Sequence, residues 1–327
     1  MTETVLVTGG HGFVAGALVV RLSTEGFDVR CTVRRGALEV PTGVRVLCTG
    51  SIDGTTRWQE ALEGVSLVVH CAARVHRLDD GGADESAEYR RSNCDGTIAL
   101  AQQAAAAGVR RFVFLSSIKV NGEATFPGRP FRADDPPAPC DPYATSKWEA
   151  ETLLRTLAAL TGLEVVVIRP PLVYGPGVKA NFRNMMKTLS RGLPLPFGLI
   201  RNRRSLVSLA NLVDLIVIAL SHSAAAGQTF LVSDGENLST TELLQRTARA
   251  LGRRSRLIPV PERLLGGALV LIGRSDLRRR LLESLEVDIE ATRNTLGWNP
   301  PVGVDQALVD TAQHFLATDR RNARATG

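Results

Sequence analysis

The stretch VLVTGGHGFVAG, residues 5–16, limits the possible folds of this chain more than any other. An apolar run ends at Gly9, Gly10 and Gly12 follow at once, and apolar residues at helical spacing begin at Phe13. Gly9 permits a tight turn, Gly12 lets the backbone approach a pyrophosphate, and the small Ala15 and Gly16 allow a helix to pack closely on a strand. The helix that follows would offer unpaired N–H groups to phosphate oxygens. Such a turn has meaning only between a strand and a helix, so the chain must open with a βα unit, and the unit reads as dinucleotide-binding.

The next 160 residues repeat that alternation. Strand-like runs occur at 4–9, 28–34, 44–50, 66–73, 111–117 and 163–170, and helical stretches at 13–26, 55–63, 86–107 and 142–161. Alternation of this kind predicts a doubly wound, Rossmann-type parallel sheet with helices on both faces. The run LEVVVIRP fits a strand buried on both sides. Asp141 is placed to cap the helix at 142–161, with Pro142 at its first position. After Pro170 the pattern breaks into Pro- and Gly-rich loops, and TFLVSDG, at 229–235, reads as a strand returning to the sheet. The expected organisation is therefore a dinucleotide-binding domain of residues 1–170 plus about 211–235. A smaller α/β substrate lobe takes about 171–210 and 236–318, and 319–327 is a frayed tail.

Composition narrows the class of protein. A net charge of +6 comes from scattered basic residues with small clusters at Arg201–Arg204 and Arg278–Arg280. No basic stripe with interleaved aromatics suggests nucleic acid. The five cysteines are widely spaced and lack metal-ligand spacing, so neither a zinc site nor a disulfide framework is expected and a reducing cytoplasm fits. The start MTETVLVTGG has no secretory pattern. The apolar windows LVDLIVIAL and LLGGALVLIG are too short to span a bilayer. The latter reads as a buried or dimer-facing helix, with an interfacial helix as the alternative.

Two further stretches carry chemistry. At the end of the second strand an acid normally contacts the ribose of NAD and an arginine accommodates the 2′-phosphate of NADP. Here CTVRRG supplies Arg34 and Arg35 and no acid, which favours NADP(H) and leaves NAD possible; the bland alternative is two solvated arginines. In YATSK, Tyr143 and Lys147 stand four apart, on one face of a helix. Ser117, at the end of RFVFLSS, and the start of the Tyr143 helix would meet beyond the carboxyl ends of the strands, where a parallel sheet binds its ligand.

Through TGGHGFVAG, HCAA, SNCDGT, LSSIKVNGE, DPYATSKWEAE, RPPLVYGPG and RSLVSLANLVD, the chain resembles the extended short-chain dehydrogenase/reductases, in the NAD(P)-dependent epimerase/dehydratase family, over most of residues 5–235. SSIKVNGE with RPPLVYGPGVKANF is most similar to bacterial UDP-sugar 4-epimerases and UDP-4-keto-sugar C4 reductases of surface-polysaccharide synthesis. The resemblance implies that Tyr143 is the general acid/base, that Lys147 lowers its pKa and binds the nicotinamide ribose, and that Ser117 holds the reacting oxygen. It implies a cofactor site of Gly9, Gly12, Phe13, Val14, Arg34, Arg35, Ser51, Ile52, Ala72, Ala73, Asn93, Ser116, Tyr143, Lys147, Pro170 and Val173. Asn181 and Arg204, with Arg203 as competitor, would hold the nucleotide-sugar diphosphate. A homodimer through the helix containing residues 90–107 and the Tyr143 helix is implied by the same analogy.

The chain also departs from the family pattern. Gly50-Ser51-Ile52 stands where many relatives have Gly-Asp-Ile, so the acid that contacts adenine is missing or displaced to Asp53. Asn121 replaces a common tyrosine. His11 reads as turn filler, and His76 as a loop residue or, less favourably, a substrate contact. Three functions follow: an NADPH-dependent UDP-4-keto-hexosamine reductase, favoured by the arginines; a UDP-sugar 4-epimerase keeping a bound NAD; and a catalytically silent nucleotide-binding module, disfavoured by the complete Ser–Tyr–Lys set.

Overall fold

The computed structural model describes residues 2–75 and 85–325, with side chains described up to residue 319; His76 lies outside the described residues. The first strands are β1 (Thr4–Thr8), β2 (Asp28–Val33), β3 (Arg45–Cys48), β4 (Leu67–His70), β5 (Arg111–Leu115) and β6 (Glu164–Arg169). After them come β7 (Leu172–Tyr174), β8 (Arg204–Ser208), β9 (Thr229–Leu231) and β10 (Asn237–Leu238). Seven form one sheet in the order β3-β2-β1-β4-β5-β6-β9. Every pair in it is parallel. The strand order reverses beside β1, which opens a crevice at the carboxyl ends of β1 and β4.

The strand residues divide strictly by parity, as a period of two requires. Val5, Val7, Leu67, Val69, Val113, Val166 and Ile168 pack on one face beneath the helices Phe13–Thr24 and Leu209–Ser221. Leu6, Val68, Phe112, Phe114, Val165 and Val167 pack on the other, beneath Gly96–Ala106 and Pro142–Thr161. Both faces being covered explains why these strands read as unbroken apolar runs.

β9 joins the sheet beside β6, so the chain returns to it after leaving. The second lobe holds a small sheet, β10-β8-β7. Its own apolar cluster runs from Tyr174 and Phe182 to Leu308 and Phe315. The last helix, Val304–Ala325, continues through most of the segment expected to fray. A helix anchored by Ala307, Leu308 and Ala312 extends at little cost once nucleated. The helical stretch expected at 86–107 is interrupted by a π-helical segment, Arg90–Asp95, which carries Asn93.

Candidate active site

The glycine turn lies where β1 ends. Gly9 has φ +81°, and a Cβ there would stand 2.9 Å from Ala72 Cα. A Cβ on Gly12 would stand 2.9 Å from the Gly9 carbonyl oxygen. The turn is tied to β2 by Gly9 and Gly10, whose N–H groups both donate to the Thr32 carbonyl. Gly12 caps the helix Phe13–Thr24 with no side-chain hydrogen bond, leaving its first-turn N–H groups, those of Phe13 and Val14 included, unclaimed by any cap. These are the features a pyrophosphate cradle needs, so the residues present fit a bound dinucleotide.

The catalytic candidates converge at the same edge of the sheet. Asp141 Oδ1 accepts the Ala144 N–H at 2.7 Å and Pro142 occupies the first turn, which fixes where the helix starts. Tyr143 is thereby held half-buried at the helix N-terminus, its ring 6.0 Å from Tyr89 in an edge-on arrangement. Ser117 follows β5 and caps the short turn Ile118–Val120, its hydroxyl accepting the Lys119 N–H at 3.3 Å, and it lies close enough to the Tyr143 phenol to act on its ionisation. One turn along the helix, Lys147 Nζ donates to the Leu115 carbonyl at 2.9 Å and lies 4.5 Å from the centroid of the Phe114 ring.

Electrostatics here differ from the expectation. Burial, reinforced by the negative charge of Asp141, pushes the Tyr143 phenol up to about 12, against the lowering effect of the Ser117 hydrogen bond. Burial drives Lys147 itself down to about 8, with Cys71 and Glu151 opposing the change. An ammonium directed at a backbone carbonyl and an aromatic face is spent on those partners, and the low-polarity surroundings disfavour both charged forms.

A hydrogen-bonded chain that the sequence did not announce underlies the crevice. Ala72 N–H donates to Thr8 Oγ1 at 3.2 Å, and Thr8 Oγ1 lies 2.8 Å from His70 Nδ1. His70 Nε2 lies 3.0 Å from Thr97 Oγ1, which donates to the Asn93 carbonyl at 2.7 Å. The Thr97 proton is committed to that carbonyl, so His70 must donate through Nε2 and accept at Nδ1. Burial holds His70 neutral, with its pKa down at about 3, and the nearby Lys147 charge acts in the same direction. Asn93 then clamps the loop after β4: its amide bonds the Arg74 N–H at 2.7 Å, the Arg74 carbonyl at 3.1 Å and Ser146 Oγ at 3.1 Å. Ser146 donates to the Tyr143 carbonyl at 2.7 Å. Asn93 therefore positions Ala72 and Ala73, its own polar atoms being already occupied.

A second buried network lies behind the site. Glu151 accepts from Arg169 Nη2 at 2.6 Å and Nε at 3.0 Å, and from the Ser116 hydroxyl at 2.5 Å. Arg169 Nη1 donates to Asn121 Oδ1 at 3.0 Å, and Asn121 Nδ2 to the Arg132 carbonyl at 2.7 Å. Ser116 was expected in the cofactor site, but its hydroxyl points the other way, because alternate residues at a strand end face opposite sides. Asn121, which stands in place of a tyrosine, closes this network.

The remaining candidates spread around the crevice. Pro170 is buried and its carbonyl accepts the Ile118 N–H at 3.0 Å, which pins the Ser117 loop to β6; Val173 lies in β7. Arg34 and Arg35 are exposed just past β2, with no acidic partner among the described residues. Ser51 is exposed, and Ile52 packs on Gly96, where a Cβ would meet its Cγ2 at 2.6 Å. Asp53 Oδ1 accepts the Thr55 N–H and hydroxyl, at 2.9 and 2.8 Å, and closes a local turn. His11 Nε2 lies 3.1 Å from the Ala37 carbonyl and links the glycine turn to the loop after β2. Asn181 is exposed beside Ala180, whose φ is +51°. Arg204 is directed at the Glu283 carbonyl at 2.9 Å, whereas Arg203 pairs with Glu286 at 2.7 Å and so has a partner of its own.

Comparison with known proteins places this geometry. The family model for the NAD dependent epimerase/dehydratase family matches residues 5–233. A protein of Vibrio cholerae described as UDP-glucose 4-epimerase is 46% identical over 98% of this chain and 98% of its own length. An Escherichia coli O157:H7 protein described as N-acetyl-alpha-D-glucosaminyl-diphospho-ditrans,octacis-undecaprenol 4-epimerase is 25% identical over 96% of each chain. Among solved structures, MoeE5 in complex with UDP-glucuronic acid and NAD superposes with a TM-score of 0.79 at 25% identity, over 97% of this chain and 100% of that one. The chain is an enzyme of the NAD dependent epimerase/dehydratase family.

Proposed function

We propose that this enzyme is a UDP-sugar 4-epimerase. The observation that carries the reading is the grouping of Ser117, Tyr143 and Lys147 beyond the carboxyl end of β5, in a chain 46% identical to a UDP-glucose 4-epimerase. That relative favours the epimerase over the reductase expected from Arg34 and Arg35, and the intact catalytic set disfavours a silent module.

When bound, the oxidised dinucleotide would supply reversible hydride acceptance from C4 of the sugar and a positive charge near the phenol. The protein's own residues do the rest. With its phenolate favoured by the positive charge the cofactor would bring, Tyr143 would accept the proton of the C4 hydroxyl during oxidation at C4 and return it to the same oxygen during reduction. Ser117 holds the same oxygen. Lys147 holds a cation behind the phenol, and the low-polarity wall of Phe114 and Cys71 strengthens every charge interaction in the site. Asn181 and Arg204 hold the diphosphate. No net oxidation occurs, so one dinucleotide serves repeated turnovers.

The purified protein should interconvert UDP-glucose and UDP-galactose with no added nucleotide. Stoichiometric consumption of NADPH with a UDP-4-keto-hexosamine, and no interconversion, would establish the reductase instead. The cofactor is read as NAD, supported by the NAD in the MoeE5 complex. Arg34 and Arg35 favour NADP as the second reading, and dissociation constants for the two cofactors decide between them. The protein is further read as a homodimer through the helices Gly96–Ala106 and Pro142–Thr161; the exposed Leu153 and Leu160 on the latter support it.

A further inference from the structure

The segment Glu262–Leu282 forms two helices, Glu262–Leu271 and Ser275–Leu282, at the edge of the second lobe. Only one side of it is covered. Leu265, Leu269 and Leu282 pack with Ile200 in a small cluster separate from the main cores. The opposite side carries Leu264, 66% exposed, and Leu271, 88% exposed. With Ala268 they lie at i, i+4 and i+7, which aligns them on one helix face. Val270 and Ile272 flank that face at 53% and 68% exposed. Isolated surface leucines need no explanation, whereas a contiguous apolar face marks an interaction site.

The charges around this face identify its partner. Residues 262–282 contain five arginines, at 263, 274, 278, 279 and 280, against two acids, Glu262 and Asp276, so the segment carries half of the chain's +6. Among the described residues Arg278 pairs with Glu283, and Arg279 with Asp276 and Glu123. Among the described residues no ion pair joins Arg263, Arg274 or Arg280. A second copy of the same face would set these cations against each other. A protruding apolar edge with cations beside it instead complements anionic lipid headgroups above acyl chains. No helix among the described residues is long and apolar enough to cross a membrane, so the hairpin would lie in the interface.

We propose that the hairpin Glu262–Leu282 docks this enzyme on the surface of a bilayer containing anionic phospholipid, inserting Leu264, Leu271 and Ile272 with the arginines at headgroup level. The test is co-sedimentation of the intact protein with vesicles of phosphatidylglycerol and phosphatidylcholine, compared with phosphatidylcholine alone. The wild type should partition onto the anionic vesicles at least tenfold better than onto the neutral ones. The double variants L271D/I272D and R263E/R274E should each lower that partitioning at least tenfold, with UDP-sugar turnover and thermal unfolding unchanged, since all four side chains are exposed. The proposal is overturned if the wild type stays in the supernatant, or if either variant binds as well as wild type. It is also overturned if L271D/I272D lowers the oligomer mass in sedimentation equilibrium, which would assign the face to a second copy of the chain.

Discussion

Tyr143 and Lys147 stand one turn apart, and burial moves their pKa values in opposite directions: the phenol up to about 12, the ammonium down to about 8. The site favours the neutral form of both, so a cation brought in with the cofactor has the most to change. Tyr143→Phe removes the proposed proton-transfer group and should lower kcat by about 10²–10⁴, with the unfolding temperature unchanged; a UDP-galactose to UDP-glucose assay reads it. His70 gives a pH prediction. Its folded pKa, about 3, is below the ordinary 6.5. The neutral form's contribution is therefore complete above pH 6.5 and is lost as pH falls towards 3, because the unfolded chain takes up the proton first. His70→Gln keeps a donor and an acceptor without a charge to gain. Its urea midpoint should fall less steeply than that of the wild type between pH 6.5 and 3.

The strand–turn–helix element at residues 4–24 was legible because its requirements are local: an apolar run, a positive φ and a helical period occupy consecutive residues. Gly9→Ala would bring a Cβ against the Ala72 backbone at a φ of +81°. We expect roughly 1–3 kcal/mol of destabilisation and at least a tenfold loss of dinucleotide affinity, read by urea unfolding and equilibrium dialysis. The π segment Arg90–Asp95 was not legible, since its sequence has ordinary helical spacing. The clamp from Asn93 to Arg74 and Ser146 rests there, between residues distant in the chain. A π turn inside an α-helix commonly marks a functional position.

Across the whole molecule, the Glu151–Arg169 pair joins the catalytic helix to the central sheet, with Glu151 fully buried. Removing one partner of a buried pair leaves an uncompensated charge, so Glu151→Ala should cost about 3–5 kcal/mol, measured as the shift in guanidinium unfolding. At the same scale, Leu153→Asp with Leu160→Asp should convert the proposed dimer to a monomeric mass in light scattering, with the far-ultraviolet spectrum unchanged. Like-charged residues on an apolar subunit interface oppose association, whereas on a free surface they are neutral.

Consecutive residues alone determined the order of strands and helices and the glycine turn, because periodicity and turn chemistry are properties of short segments, whereas the roles expected of Ser117, Tyr143 and Lys147 came from the resemblance to a family. Only the folded chain decided that Ser116 faces Glu151, that Asp53 closes its own turn, that His70 is a buried donor through Nε2, and that burial around Tyr143 pushes its phenol up. It also decided that LLGGALVLIG leaves most of its apolar side chains exposed on the single chain, so that the chain's own core does not cover it. Desolvation and hydrogen-bond partnership depend on atoms that tertiary packing brings together from far along the chain, and no local pattern carries that information.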